Sequence, residues 1–198
     1  ELLTELVQAR SSDDPRRAEA TWRLARALQS ELRVDEAASE YERVIAEHPR
    51  SPFGTRSHVD LARCYLRLGR HSDAEQQLVR VVDGLSTSET PITPDAPDYR
   101  SALFELGAVY HEIGRYREAI ERLTEAMARA QGDPRTNEVQ FRLADSHRRF
   151  ARELEDRLSE EPNLTPTERA DLRERVNEHL RTAQGGFDRV CIGYGELD

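Results

Sequence analysis

Apolar residues recur along this chain at intervals of three and four positions, which is the spacing of amphipathic helices. The stretch from Leu103 to Ala126 shows the pattern most clearly, because Gly114 separates two apolar-periodic halves. The small residues Gly107 and Ala119 would let the two halves approach each other closely. The stretch therefore predicts two antiparallel helices joined by a tight turn.

Four segments of the chain repeat this pattern position by position. The shared columns are Leu24, Leu61, Leu106 and Leu143, then Ala25, Ala62, Gly107 and Ala144, and in the second helix Ala37, Ala74, Ala119 and Ala183. Because a single helix pair cannot bury its apolar face alone, consecutive pairs are expected to stack around a continuous core. The uneven spacing of the alanine column indicates that units of about 34 residues carry insertions.

On these columns the chain resembles the tetratricopeptide repeat family, of the bacterial type. The resemblance implies an all-α fold, a right-handed superhelix of helix hairpins. We expect one domain over 1–198, divided as follows: 1–17 a helix of a truncated preceding unit, 18–51 repeat 1, 55–88 repeat 2, 89–99 a Pro-rich insertion, 100–133 repeat 3, and 136–198 a degenerate repeat 4 with extended helices. Since the first residues already read as mid-helix, the chain is expected to be a fragment of a longer protein.

Helix-end signals support these boundaries. Ser72 to Glu75 and Thr165 to Glu168 each have the spacing of a capping box, in which side chains bond the first free backbone N–H groups. Gly185 and Gly186 fall inside the predicted last helix, where glycine is unfavourable. Two explanations stay open for this pair: close packing against a neighbour, or a bend in the helix.

Charge and cysteine usage narrow the class of protein. The chain carries a net charge of -9, and all 29 of its basic residues are Arg. This charge argues against nucleic-acid binding, because phosphate contacts need a basic field. The chain contains no run of about 18 apolar residues, so the sequence predicts no transmembrane segment. Cys64 and Cys191 lie in apolar-flanked helical contexts and are expected to be buried free thiols, with no disulfide framework.

The sequence gives little support for catalysis. The six histidines never stand at metal-ligand spacing with Cys or carboxylate residues, and no Gly-rich phosphate loop or nucleophile motif is present. His111 and Glu112 are adjacent, and adjacent residues on a helix point in different directions. We therefore expect no enzyme activity, no metal and no cofactor.

The resemblance places the first helix of each unit on a concave face. A column two positions before the repeated leucine holds Trp22, Val59, Phe104 and Phe141. These side chains form either an aromatic ladder for a partner, since rigid aromatic area suits binding hot spots, or packing contacts with the neighbouring helix. Both interpretations stay open at the level of sequence.

Charged residues adjoin this column. The candidate contact set adds Arg23, Arg26, Arg63, Arg67, Glu105 and Arg142 to the aromatic residues Trp22, Phe104 and Phe141. The arginines of the first two repeats either grip carboxylates of an extended peptide through forked hydrogen bonds or pair with local Asp and Glu residues. One family subtype binds the C-terminal carboxylate of chaperones through Asn and Lys residues. The matching positions here hold neither, so that activity is not carried over.

The function expected from these patterns is a scaffold that binds a protein or peptide segment in the concave groove. Two alternatives stay open: an accessory interaction domain of a larger enzyme, signalling or cell-envelope protein, and a structural module that forms homo-oligomers through the C-terminal helices. The residues expected in the latter contact are Phe187, Val190, Ile192 and Tyr194. The segment from His48 to Leu78 is similar to repeats of bacterial outer-membrane assembly lipoproteins and Tol-system cell-division coordinators. Localisation to the cytoplasm or to the cell envelope is left undecided.

Overall fold

The computed structural model describes residues 15–84, 96–129 and 133–195, and within these ranges it contains eight α-helices and no β-strand. The helices are α1 (Pro15–Ser30), α2 (Val34–Glu47), α3 (Pro52–Arg67), α4 (His71–Asp83), α5 (Pro97–Glu112), α6 (Tyr116–Arg129), α7 (Thr136–Glu160) and α8 (Pro166–Gly195). The chain divides into two compact units, Glu1–Val109 and Tyr110–Asp198. Most of the predicted truncated helix and of the Pro-rich insertion lies outside the described residues.

The first unit contains α1 to α4 and most of α5. Helix α1 packs on α2, α2 packs on α3 and α3 packs on α4, and α1 also packs on α3. The small-residue columns form the close contacts of this unit, since Ala25, Ala62, Ala37 and Ala74 are completely buried. Larger apolar side chains such as Leu61 fill the space between them. The predicted all-α class is confirmed.

Tight turns join α1 to α2 and α3 to α4, and the two turns share the same backbone hydrogen bond and the same left-handed position. Arg70 N–H donates to the carbonyl of Tyr65 at 2.8 Å, and Arg33 N–H donates to the carbonyl of Leu28 at 3.0 Å. In each bond an N–H donates to the carbonyl five residues earlier, as in the Schellman motif that ends many helices. Each turn needs one residue in the left-handed region, which is Gly69 with φ 71° in one turn and Leu32 with φ 62° in the other.

The second unit contains the last turn of α5 together with α6, α7 and α8. Helices α7 and α8 form its longest contact. A cluster of buried apolar residues joins their far ends, consisting of Ala151, Leu154, Leu172 and Val176 with Phe150, Leu158 and Leu164 packed against it. Because this cluster is separate from the repeat columns, it explains how both helices extend beyond ordinary repeat length.

The two helical glycines of α8 have different roles. A Cβ atom added to Gly186 would lie 2.7 Å from Cβ of Ala144, whereas a Cβ on Gly185 would meet nothing within 4 Å. Helix α8 also continues without interruption past both residues. Close packing therefore explains Gly186, and nothing in the structure requires Gly185.

Two sequence-based expectations about helix ends have opposite outcomes. The capping box at the start of α8 is confirmed, because the backbone N–H of Thr165 donates to Glu168 at 2.8 Å and the Glu168 N–H donates to the Thr165 hydroxyl at 3.3 Å. The capping box predicted at Ser72 is wrong. Helix α4 already begins at His71, and its N-cap is Arg70, without a side-chain capping bond.

The two cysteines are free thiols with different environments. Cys64 is buried, as expected, and burial raises the pKa of its thiol to about 11. The expectation that Cys191 is buried is wrong, because its side chain is exposed. The preceding residue, Val190, faces the core of the unit, and one helical step rotates Cys191 away from it by about 100°.

Candidate functional site

A groove of about 570 Å³ lies in the first unit, lined by side chains of α1, α3 and α5. These are the first helices of three successive helix pairs. The groove wall of α3 consists of residues three or four positions apart, such as Arg56, Asp60, Arg63 and Arg67. The groove is the candidate functional site, since ligands bind preferentially in concave surfaces with few polar groups of fixed orientation.

Trp22 lies half-buried in this groove, and its ring and its ring nitrogen contact neighbouring side chains. The indole N–H donates to Oδ2 of Asp60 at 2.9 Å. Phe53 packs against the ring at a centroid distance of 5.5 Å. The guanidinium of Arg26 lies over the ring, 4.8 Å from its centroid, and that of Arg56 lies 6.0 Å from it. These contacts hold the ring in one orientation.

Arg63 connects α3 to α5. Its Nη1 donates to Asp60 at 2.8 Å, and its Nε donates to Glu105 at 2.9 Å. Since Asp60 also accepts from Trp22, a continuous chain of hydrogen bonds runs from α1 through α3 to α5. Burial acting on its own would lower the pKa of Arg63, but Glu105 and Asp60 outweigh it and raise that pKa. Arg63 therefore joins α3 to α5, and Asp60 extends the hydrogen-bonded chain to α1.

Arg26 and Arg67 differ from Arg63 in having no carboxylate partner among the described residues. Arg67 is exposed and donates only a long bond of 3.5 Å to the backbone carbonyl of Gln29. Arg26 is exposed and stacks on Trp22. Both guanidinium groups thus retain donor N–H groups that can bind an anionic group of another molecule.

The structure brings together only part of the predicted contact set. Trp22, Arg26, Arg63 and Arg67 line the groove, and Glu105 bonds to Arg63. Arg23 instead pairs with Glu19 on the exposed side of its own helix at 2.6 Å.

The other predicted aromatic residues lie elsewhere. Phe104 is buried, with 6% of its surface exposed, so its ring is a packing residue in this conformation. Phe141 and Arg142 belong to the second unit. Phe141 is 49% exposed and contacts Phe187 edge-on at 5.7 Å, and Arg142 pairs with Glu138 at 2.9 Å.

Sequence reasoning missed several residues of the groove. Arg56 pairs loosely with Asp98 at 3.4 Å, and Phe53 packs on Trp22. The sequence carried a signal for Arg56, since it precedes Asp60 and Arg63 at helical spacing on one face of α3. Phe53 gave no such signal, because it stands near the start of α3, outside the aligned columns.

A serine, a histidine and an aspartate meet in the second unit. The Nδ1 of His111 lies 3.4 Å from the Ser146 hydroxyl, and its Nε2 lies 3.2 Å from Oδ2 of Asp145. However, Ser146 is fully buried and donates its proton to the carbonyl of Arg142 at 2.7 Å. Because the hydroxyl is out of reach of a substrate, these residues do not form a nucleophilic site. They are a structural network around the buried Asp145.

The fold and the groove define a helical-repeat protein, and comparison with known sequences identifies the family. Two sequence models, both described as tetratricopeptide repeat, match the chain, one over residues 1–52 and 23–89 and the other over residues 102–135. The matches cover more than half of the chain, which therefore belongs to the tetratricopeptide repeat family. No curated protein sequence matches the chain.

Solved structures show the same fold. A kinesin light chain of Podosopora anserina with nearly identical TPR-like repeats is 21% identical with a TM-score of 0.59, and the match covers 94% of this chain and 99% of that chain. BtubC (BKLC) from P. vanneervenii is 16% identical with a TM-score of 0.59, over 98% and 87% of the two chains. A tetratricopeptide repeat protein from Parabacteroides merdae is 17% identical with a TM-score of 0.56, over 96% and 70%.

Membership of this family makes the chain a protein–protein interaction scaffold, with proteins as the partner class. The tetratricopeptide repeat fold is typically a non-catalytic scaffold. Among the described residues, no helix combines the length and apolar character needed to cross a membrane.

Proposed function

We propose that this scaffold binds an extended segment of a partner protein in the groove of the first unit, and that the segment carries acidic side chains. The observation that supports the proposal is that the arginines of the groove differ in their bonding partners. Arg63 is bonded to two carboxylates of the fold, whereas Arg26 and Arg67 retain donors that no described carboxylate occupies.

The charge of the groove supports an acidic ligand. Four arginines and two aspartates line it, so the lining is net positive within a chain whose net charge is -9. An acidic segment would be attracted to the groove and repelled by the surrounding surface, which favours correct orientation. Guanidinium groups also match the planar geometry of carboxylates.

Trp22 supplies an apolar contact area beside these donors. Its ring is fixed by Asp60 and Phe53 before any ligand arrives, so binding loses little side-chain entropy there. We expect the ligand to place the stem of an acidic side chain or a neighbouring apolar residue against Trp22 while its carboxylates reach Arg26 and Arg67.

The test is a selection of peptides from a random display library on the immobilised protein, followed by affinity measurements on the enriched sequences. We expect enrichment of Asp and Glu, and we expect the double variant Arg26→Ala with Arg67→Ala to bind these peptides at least about tenfold more weakly. Thermal melting should show that the variant remains folded, because neither side chain has a carboxylate partner to lose.

The matched control is Arg23→Ala, which removes an arginine of α1 that lies outside the groove and pairs with Glu19. This variant should bind the selected peptides as the parent protein does. Equal binding by all three proteins would refute the groove as the binding site, and enrichment of basic or purely apolar peptides would refute the acidic ligand.

A second candidate function is self-association through α8. Ile192 is 63% exposed on this helix, and Leu180 is also exposed, which supports an apolar contact. Of the other predicted contact residues, Val190 is buried, Phe187 packs against Phe141, and the side chain of Tyr194 lies outside the described part of the structure. If α8 mediates association, Ile192→Asp should lower the mass measured by light scattering at high protein concentration. A concentration-independent monomer mass for the parent protein would exclude this function.

A further inference from the structure

Two histidines face each other across the contact between α7 and α8. Nδ1 of His147 lies 2.7 Å from Nδ1 of His179, and the ring centroids are 5.0 Å apart. Phe150 packs edge-on against His179, also at 5.0 Å. Both rings are half-buried between the two helices.

The surroundings of this pair are apolar along the helix axes. On one side lies the cluster that contains Ala151 and Val176, and on the other side Gly186 packs directly on Ala144. We call this line of contacts, from Ala144 and Gly186 through the histidine pair to the apolar cluster, the α7–α8 seam. The histidine pair places two polar rings between these two sets of contacts.

The distance between the two nitrogens limits how many protons they can share. A neutral imidazole has one donor nitrogen and one acceptor nitrogen, so at 2.7 Å one Nδ1 donates to the other. When one ring takes up an extra proton, the two facing Nδ1 atoms still share a single proton, so the hydrogen bond between them persists. When both rings are protonated, each Nδ1 carries a proton and two N–H groups point at each other.

We propose that His147 and His179 form a pH-sensitive latch, which holds the α7–α8 seam closed while a single proton lies between the facing nitrogens and opens it when a second one binds there. The second proton comes from solvent and leaves two like charges within the seam. Opening would move α7 and α8 apart at the middle of the longest helix pair and expose the apolar residues on either side.

The charges around the pair are compatible with this behaviour. Burial, and then the neighbouring His179, lowers the pKa of His147 to about 4, and burial lowers the pKa of His179. Glu178 and Arg175, both on α8, act on His179 in opposite directions. Among the described residues of α6 and α7, no carboxylate acts on His147 to offset a second positive charge.

The direction of the pH effect follows from these shifts. The pKa values of both histidines are lower in the folded protein than in the unfolded chain, so the unfolded chain binds more protons as the pH falls below about 6.5. The contribution of the pair to stability is therefore complete at neutral pH and is lost as the pH falls toward the folded-state pKa values. Because the two sites interact, they should titrate as a pair in two steps.

The first experiment follows the imidazole resonances of the parent protein by NMR between about pH 8 and about pH 4. We expect His147 and His179 to titrate together, in two separated steps, with the second step well below the ordinary histidine pKa. Assignment comes from the single variants His147→Asn and His179→Asn. Independent single-step titrations of the two histidines near the ordinary pKa would overturn the proposal.

The second experiment measures hydrogen exchange of the α7 and α8 amides at about pH 7 and about pH 4.5, corrected for the intrinsic rate of exchange. We expect local opening of the seam to become roughly tenfold more frequent at the lower pH in the parent protein. In His147→Asn the amide can accept a hydrogen bond from either state of His179, so this increase should disappear.

The matched control is His58→Asn. His58 is also a half-buried helical residue bonded through Nδ1, but its partner is Gln77 in the first unit. The control should show the same pH-dependent opening of α7 and α8 as the parent protein. If His147→Asn keeps that opening as well, the latch is disproved.

Discussion

Leu32 occupies in the first helix pair the position that Gly69 occupies in the second, and both residues have a left-handed backbone, with φ 62° and φ 71°. Glycine adopts this conformation without strain, whereas a residue with a Cβ atom adopts it at a cost of about 1 to 2 kcal/mol. Leu32 is also 76% exposed, so its side chain recovers little of that cost by burial.

Replacing Leu32 by glycine should therefore stabilise the protein. We expect a gain of about 1 kcal/mol in the free energy of unfolding, because relief of the strained backbone exceeds the added entropy of glycine in the unfolded chain. The measurement is chemical denaturation of the parent protein and Leu32→Gly. The converse change, Gly69→Ala, should destabilise by about the same amount, although the added Cβ meets nothing within 4 Å. A neutral result for both variants would show that the turns relax.

The neighbouring glycines of α8 should respond in opposite ways to alanine. Gly185→Ala should stabilise by about 1 kcal/mol, because alanine is the better helix former and the space beside it is open. Gly186→Ala should destabilise by about 1 kcal/mol or more, because its Cβ would lie 2.7 Å from that of Ala144. Thermal melting of the two variants compares them directly, and each serves as the control for the other.

Two arginines of the groove should separate stability from binding. Arg63→Ala removes one hydrogen-bond donor from Asp60 and one from Glu105, so we expect a loss of about 1 to 2 kcal/mol in unfolding free energy. Arg26→Ala loses only the stacking on Trp22, and the loss should be about 0.5 kcal/mol. Denaturation curves measure both. Equal losses would contradict the assignment of Arg63 to the fold and Arg26 to the ligand.

Asp145 should make a stabilising contribution that disappears in acid. Burial alone would raise the pKa of its carboxyl, but hydrogen bonds from Arg148 and Arg149 outweigh burial and lower that pKa. The folded state therefore holds the carboxylate better than the unfolded chain does. Its contribution is present above the ordinary pKa of 3.8 and is lost as the pH falls below it.

The variant that tests this contribution is Asp145→Asn, which removes the negative charge and replaces one of the two oxygens that bond Arg148, Arg149 and His111 by an amide nitrogen. We expect it to lower the unfolding free energy by about 2 kcal/mol at neutral pH. The difference from the parent protein should shrink progressively in melts performed below about pH 4. A difference that stays constant with pH would mean that the charge of Asp145 contributes nothing.

The repeat columns predicted the fold because they report local packing. Ala25 and Ala62 lie where two helices touch, and such a contact requires a small residue at the same position of each repeat. The exposure of a column member is a different matter. Phe104 and Phe141 stand in one column, yet the first is buried and the second is half exposed. Exposure depends on what covers each position, and that information is absent from a single unit.

The ion pairs of the candidate site could be predicted from sequence where the two partners lie within one helical turn of each other. The pair of Arg23 and Glu19 lies one helical turn apart and could be read from sequence. The bonds from Arg63 to Glu105 and from Trp22 to Asp60 join residues about forty positions apart, in successive repeats. Which arginines remain available to a ligand follows from those distant pairs, so the column of arginines alone could not separate Arg63 from Arg26.

Trp22, held in the groove by its hydrogen bond to Asp60, can report on the groove through its fluorescence. Trp22 is the only tryptophan of the chain, so the intrinsic fluorescence of the protein near the red edge of excitation comes from this ring alone. A ligand that draws Arg26 off the ring face or disturbs Asp60 changes the polarity that the indole senses. Occupancy of the groove can therefore be followed by the emission of unlabelled protein, in real time and without a dye.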